Sequence, residues 1–132
     1  MTVSDQELFQ AARRVREQAH APYSGYRVGA AIVDTDGGVH TGCNVENAAF
    51  PVGICAETNA IGSMVAAGGR RIARIAVVGG GQTVDACTPC GACRQSILEF
   101  ADDATQVLLL DGDGSVVRFA IAELLPHAFK SL

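Results

Sequence analysis

No stretch of this 132-residue chain is continuously apolar over the ~18 or more residues a transmembrane helix needs, which excludes a helical membrane span. The opening residues, Met1-Thr2-Val3-Ser4-Asp5-Gln6-Glu7, lack the basic and then apolar regions of a secretory leader. The expected compartment is therefore the cytoplasm. Basic charge is in deficit, with 10 Lys and Arg against 14 Asp and Glu and a net charge of −4, which argues against a nucleic-acid-binding surface. Internal repeats, low-complexity tracts and linker-like stretches are absent, so residues 1–132 are expected to form one domain. Charged residues reach only 18% while hydrophobic ones make up 48%, enough to bury a core and to exclude intrinsic disorder.

Several motif-like stretches also fall short. Asp111-Gly112-Asp113-Gly114 resembles the start of a calcium loop, but Ala122 stands where the bidentate Glu belongs. Gly79-Gly80-Gly81 lacks the spacing of a phosphate loop, and Arg70-Arg71 is too short for a nucleic-acid patch. What the chain does have is five cysteines, at 43, 55, 87, 90 and 93. An odd number in a reducing compartment does not read as a disulfide framework. Metal binding, catalysis or plain burial has to account for them.

Hydrophobic periodicity places them on elements. Ser4 and Glu7 form a capping box for a helix over 4–20, with Leu8, Ala11, Ala12, Val15 and Ala19 at helical spacing. Strands over 26–33 and 39–45 flank a turn at 34–38, as in a hairpin. A helix over 54–67 ends at Gly68-Gly69. The near-continuous apolar run 72–78 marks a strand covered on both faces. A helix from Pro89 to Phe100, strands at 107–110 and 116–119, and a short helix at 120–125 complete the chain. Strands alternating with helices in this way predict an α/β fold: a five-stranded mixed sheet with helices on its faces.

Two segments carry the chemistry: Cys55-Ala56-Glu57 and Pro89-Cys90-Gly91-Ala92-Cys93. Pro89 suits a helix start, which puts Cys90 and Cys93 in the first turn, where backbone N–H groups and the helix dipole favour thiolate. Cys55 also stands where a helix begins. Two helix starts converging would offer three thiolates to one cation, and Glu57 would supply acid/base function beside it. Catalytic zinc sites use three protein ligands and keep a position for water, whereas structural sites close with four. Cys-x-x-Cys is also found in thiol redox proteins, and a buried, inert pair is a third reading. Cys87, three residues before Cys90, makes a rival ligand pair but precedes Pro89. Cys43 reads as a buried small residue in a strand. His20, His40 and His127 are isolated, which favours surface or capping roles.

The pairing of Cys-x-Glu with Pro-Cys-x-x-Cys is similar to the signature of zinc deaminases. Tyr23-Ser-Gly-Tyr26-Arg-Val-Gly-Ala-Ala31, Gly42-Cys-Asn44-Val-Glu46-Asn47-Ala48 and Glu123-Leu-Leu-Pro126-His-Ala-Phe129 further resemble the small homotetrameric cytidine deaminases of the three-cysteine type. The likeness covers residues 20–129. It implies a three-layer α/β/α fold and one Zn²⁺ per subunit on Cys55, Cys90 and Cys93. It implies hydrolytic deamination of cytidine and 2′-deoxycytidine in pyrimidine salvage, by attack of a zinc-activated water on C4 with Glu57 as proton shuttle. By the same resemblance Asn44 and Glu46 hold the ribose, Tyr26 lies near the base and the Ala56 N–H meets the pyrimidine carbonyl. Phe129 reaches a neighbouring subunit's active site in a shared-site homotetramer, and Phe50 stands at a subunit contact. The partners implied are a small nucleoside, with no nucleic acid and no membrane. A deaminase of modified or non-nucleoside aminopyrimidines, similar to the blasticidin type, is the alternative, and a non-catalytic zinc module is a more distant one.

One position departs from the pattern. Three-cysteine members commonly carry Arg after the glutamate, where it hydrogen-bonds cysteine sulfurs; here it is Thr58. Three thiolates on Zn²⁺ leave a charge of −1, and a hydroxyl offers one neutral hydrogen bond, about half as strong as a charge-assisted one. Either the helix starts do more in this chain, or another cation such as Arg94 compensates.

Overall fold

The computed structural model describes residues 2–130. Helix α1 (Asp5–Arg16) opens on the expected capping box, Ser4 accepting from the Glu7 N–H while Glu7 accepts from the Ser4 N–H. Strands β1 (Arg27–Asp34) and β2 (Val39–Cys43) form the hairpin. A 3₁₀ turn over Phe50–Val52 precedes α2 (Ala56–Ala66) and β3 (Ile72–Gly80). Helix α3 (Gly91–Glu99), β4 (Gln106–Leu110), β5 (Val116–Phe119) and α4 (Ile121–Leu124) follow. The five strands lie in the order β2-β1-β3-β4-β5, with β3 and β4 parallel and every other pair antiparallel.

Alternation along the strands feeds two separate cores. On one face Ala31, Val33, Ala76, Val78, Leu108 and Leu110 pack under Leu8, Phe9 and Ala12 of α1. On the other, Ala30, Ile32, Ile75, Val77, Val107 and Leu109 pack under α2, Ile97 of α3 and Ile121 of α4. A strand covered on both sides has little polar side to show, hence the apolar run of β3, broken by Arg74 alone. The result is the expected three-layer α/β/α arrangement. Among the described residues no helix is long and apolar enough to cross a membrane.

Several boundaries shift, most by a residue or two, and two of the shifts bear on the site. Helix α1 ends at Arg16 rather than at residue 20, because His20 pairs with the 44–46 segment: its N–H donates to Asn44 O and its carbonyl accepts from Glu46 N–H. Helix α3 starts at Gly91, leaving Cys90 outside as an extended N-cap at φ −67°, ψ 170°.

The β1–β2 turn is held by a buried carboxylate. Asp34 Oδ1 accepts from the N–H groups of Asp36 and Gly38, both at 2.9 Å, and Oδ2 accepts from His40 Nε2 at 2.7 Å. Burial pushes this carboxyl up, but the His40 hydrogen bond and the two backbone donors together hold it below its ordinary value. A depressed carboxyl stabilises the fold above its ordinary pKa of about 4, and that contribution is lost as pH falls through the lower folded value. Asp34→Asn should therefore melt below the parent at pH 5–7, by roughly 1–3 kcal/mol, with the gap closing below pH 4. Melting temperatures across pH check this; a gap independent of pH would count against it.

Candidate metal centre

The site forms where two helices begin on the same face of the sheet. Cys55 is the N-cap of α2 at φ −76°, ψ 156°, and Cys90 is the N-cap of α3. Val45 and Ile54 exchange both backbone hydrogen bonds, at 2.9 and 3.0 Å, closing the 45–54 loop and setting Cys55 beside the Asn44–Glu46 segment. Cys93, inside the first turn of α3, points into the protein and is 1% exposed.

These elements bring the Sγ atoms of Cys55, Cys90 and Cys93 within 4.8 Å of one another. Tetrahedral zinc with Zn–S bonds of about 2.3 Å separates its sulfurs by about 3.8 Å, so the spacing fits, and three soft sulfur donors suit zinc chemically. Among the described residues no fourth His, Cys, Asp or Glu donor joins the cluster. Cys55 and Cys90 are exposed while Cys93 is buried, so the centre is sealed from within and open to solvent on one side. Cys87 is half-buried and stands outside the cluster, and Cys43 is half-buried rather than fully covered.

Each thiol sits in a different field. The backbone N–H of Cys93, the largest influence, lowers the Cys90 pKa, as expected for a sulfur at a helix start. Burial pushes Cys93 well up, and the negative charges of Glu57 and Cys55 push it further. Burial also raises Cys55. A bound cation reverses this penalty by pairing with the thiolates.

Glu57, one turn-step inside α2, is 4% exposed. Burial raises its pKa, while its own backbone N–H and Cys93 oppose the shift. A carboxyl lifted this way holds a proton more readily near neutrality, which suits an acid/base group. Ala56 is the first residue of α2, and its N–H has no acceptor within the helix. Among the described residues nothing accepts from that N–H, which directly follows Cys55.

The remaining predicted residues are placed in two groups. Asn44 braces the entrance: its Oδ1 accepts from the Val28 N–H at 2.8 Å and its Nδ2 donates to Tyr26 O at 2.9 Å. Tyr26 is partly exposed and packs with Cys87 above Gly79, where an added Cβ would meet Cys87 Sγ at 2.8 Å and the Tyr26 ring at 3.1 Å. Burial, and then Cys87, push the Tyr26 hydroxyl up to about 12, so it remains protonated at neutral pH. Glu46 accepts from the N–H groups of Tyr23 and Ser24 and from the Ser24 hydroxyl. With Tyr23, Asn47, Phe50 and Gly53 it lines an open hollow of about 380 Å³. Phe129 lies apart, on a separate hollow with Gln95, whose side chain donates to the Phe129 carbonyl at 2.8 Å.

Two roles were not legible beforehand. Tyr23 stacks edge-on against Phe50 with centroids 5.7 Å apart, and its backbone with Ser24 fixes Glu46. Arg94 does not reach the sulfurs: Nε donates to Pro89 O and Nη1 to Leu124 O, both at 2.7 Å, tying the α3 start to α4. The expectation that Arg94 substitutes for the missing arginine is therefore corrected. The Leu124 partner lies 30 residues away, and no spacing rule announces it.

Comparison with known proteins extends this local picture. The family model described as "Cytidine and deoxycytidylate deaminase zinc-binding region" matches residues 2–109. A cytidine deaminase of Sporosarcina psychrophila is 40% identical over 125 residues, covering 95% of this chain and 90% of that one. One from Halalkalibacterium halodurans is 40% identical over 126 residues, covering 96% and 94%. The crystal structure of cytidine deaminase from Burkholderia pseudomallei superposes with a TM-score of 0.86 at 44% identity, over 96% of this chain and 99% of that one. Likeness at this level runs through sequence and backbone alike, far beyond the cysteine motifs, and the chain accordingly belongs to the cytidine deaminase family.

Proposed function

We propose that this chain hydrolyses cytidine and 2′-deoxycytidine to uridine and 2′-deoxyuridine with release of ammonia, as one catalytic domain over residues 1–132. The observation that carries the reading is a buried carboxyl, Glu57 at 4% exposure, beside a three-sulfur cluster open on one side. Zinc held by Cys55, Cys90 and Cys93, one ion per subunit, supplies Lewis acidity that brings the pKa of water from 15.7 towards about 7. Glu57 takes the first proton of the attacking water and passes it to ring N3. It then takes the remaining hydroxyl proton from the tetrahedral C4 adduct and delivers it to the amino group, which leaves as ammonia as C4 becomes a carbonyl. One carboxylate thus acts as base and then acid, which its raised pKa favours.

The Ala56 N–H donates to the pyrimidine carbonyl, and Tyr26 flanks the ring. Asn44, through the amide hydrogen and lone pair its internal bonds leave free, and Glu46 meet the ribose, chiefly at its 3′-hydroxyl. Five free cysteines suit a reducing cytoplasm. A homotetramer with shared sites is supported by apolar exposure around the hollow and the C-terminal segment, with Phe50 73% and Phe129 63% exposed.

The test is an ultraviolet assay of zinc-loaded protein on cytidine, 2′-deoxycytidine, cytosine and blasticidin S, with a chelator arm and zinc add-back. Conversion of the two nucleosides that chelation abolishes and zinc restores is the expected result. Preference for cytosine or blasticidin S overturns the nucleoside assignment, and no ammonia release from any of them overturns the enzyme. Light scattering on the same sample should report four subunits; an active monomer removes the shared site.

A further inference from the structure

The three sulfurs do not receive equal help from the protein around them. Cys90 stands at the N-cap of α3, beside the N–H groups that the first turn leaves without helical acceptors, though its sulfur makes no capping hydrogen bond. Cys55 holds the same place on α2, and its sulfur likewise makes no capping hydrogen bond. Cys93, the one sulfur sealed from solvent, meets one donor outside the cluster: the hydroxyl of Thr58, with Oγ1 3.8 Å from Sγ, across 35 residues of sequence. A metal-bound sulfur is a thiolate and carries no proton, so the hydroxyl must be the donor. The nearest cationic side chain in sequence, Arg94, is engaged by carbonyls instead.

We infer that Thr58 is a positioning residue of the metal centre, whose hydroxyl donates to the Cys93 thiolate and withdraws electron density from that one sulfur. The inference rests on the three-sulfur zinc site and goes beyond it, by assigning to this chain a neutral donor aimed at the buried ligand alone. Outer hydrogen bonds of this kind orient ligands and tune the metal, and losing one typically costs 10–100-fold in metal affinity or activity. A sulfur anion that water cannot reach depends on such a donor more than an exposed one does. Thr58 lies in the first turn of α2, and valine has its shape without the hydroxyl.

The experiment compares parent, Thr58→Val and Thr58→Ser after replacing zinc with cobalt(II), reading the sulfur-to-metal charge-transfer band and, separately, zinc affinity by chelator competition. Valine keeps the shape and removes the hydrogen bond, so its band should move to longer wavelength and its zinc affinity should fall about ten-fold. Serine restores the hydroxyl and should return both to the parental values. A Thr58→Val band at the parental wavelength overturns this inference alone, as does a serine variant that behaves like valine. A parental protein with no sulfur-to-cobalt band overturns the metal site and the inference with it.

Discussion

Glu57→Gln is expected to keep its fold and its bound zinc while kcat for cytidine falls by about 10³–10⁴-fold. General acid–base catalysis contributes typically 10²–10⁴-fold, and here one group serves two transfers, which places the effect at the upper end, about 4–5 kcal/mol of barrier. Glutamine has the volume of the buried carboxyl, so the 4%-exposed pocket need not collapse. It cannot take up and return a proton. Cys93, whose pKa is raised in part by the Glu57 charge, loses a repulsive neighbour, so metal binding should hold or improve. Single-turnover kinetics together with zinc analysis make the check. A variant that turns over at the parental rate with zinc in place removes Glu57 from the mechanism; one that has lost its zinc shows that the carboxyl supports the metal instead.

The layered fold was readable because its signals are local. Ile72 to Val78 is apolar on both faces, Ser4 and Glu7 cap α1, and Asp34 to Gly38 reads as a turn. The errors fall where distant backbone intervenes. The α1 pattern continues to Ala19, yet His20 leaves the helix for a pairing with Asn44 and Glu46 that no local spacing reports. The three clustered cysteines were legible for a chemical reason: sulfur at two helix starts is an arrangement few other functions require. Cys90 nevertheless lies one step outside the helix rather than within it, and this extended residue at φ −67°, ψ 170° is what allows its sulfur to face Cys93. The supporting contacts were not legible. Thr58 to Cys93, Arg94 to Leu124 and Asn44 to Val28 each join residues far apart in sequence, and each uses a side chain whose partner is fixed only when the layers close. Asn44 shows how a residue can hold two assignments, since the amide that braces Tyr26 also stands at the proposed ribose site.

Gly42→Ala should damage both stability and turnover severely, although Gly42 is not itself one of the site residues. It lies on β2 directly beneath α2, where an added Cβ would come within 2.3 Å of the Ala60 nitrogen, 2.6 Å of the Ala56 carbonyl oxygen and 2.8 Å of the Asn59 carbonyl carbon. All three are backbone atoms, so no side chain can rotate away, and α2 itself has to lift by about 1 Å to restore contact distance. That helix starts with Cys55, Ala56, Glu57 and Thr58. Overpacking against backbone at a close helix–sheet approach should cost at least about 3 kcal/mol. A 1 Å displacement of catalytic groups can cost about 10²-fold in rate. Gly62, in the same helix, provides the contrast: an added Cβ there meets nothing within 4 Å. Gly62→Ala should therefore stabilise the protein by about 0.5–1 kcal/mol through helix propensity and leave turnover near the parental value. Thermal melting, zinc affinity and kcat for the two variants separate the effects. If Gly42→Ala melts and turns over like the parent, the close seating of α2 on β2 is not what holds the metal centre in place.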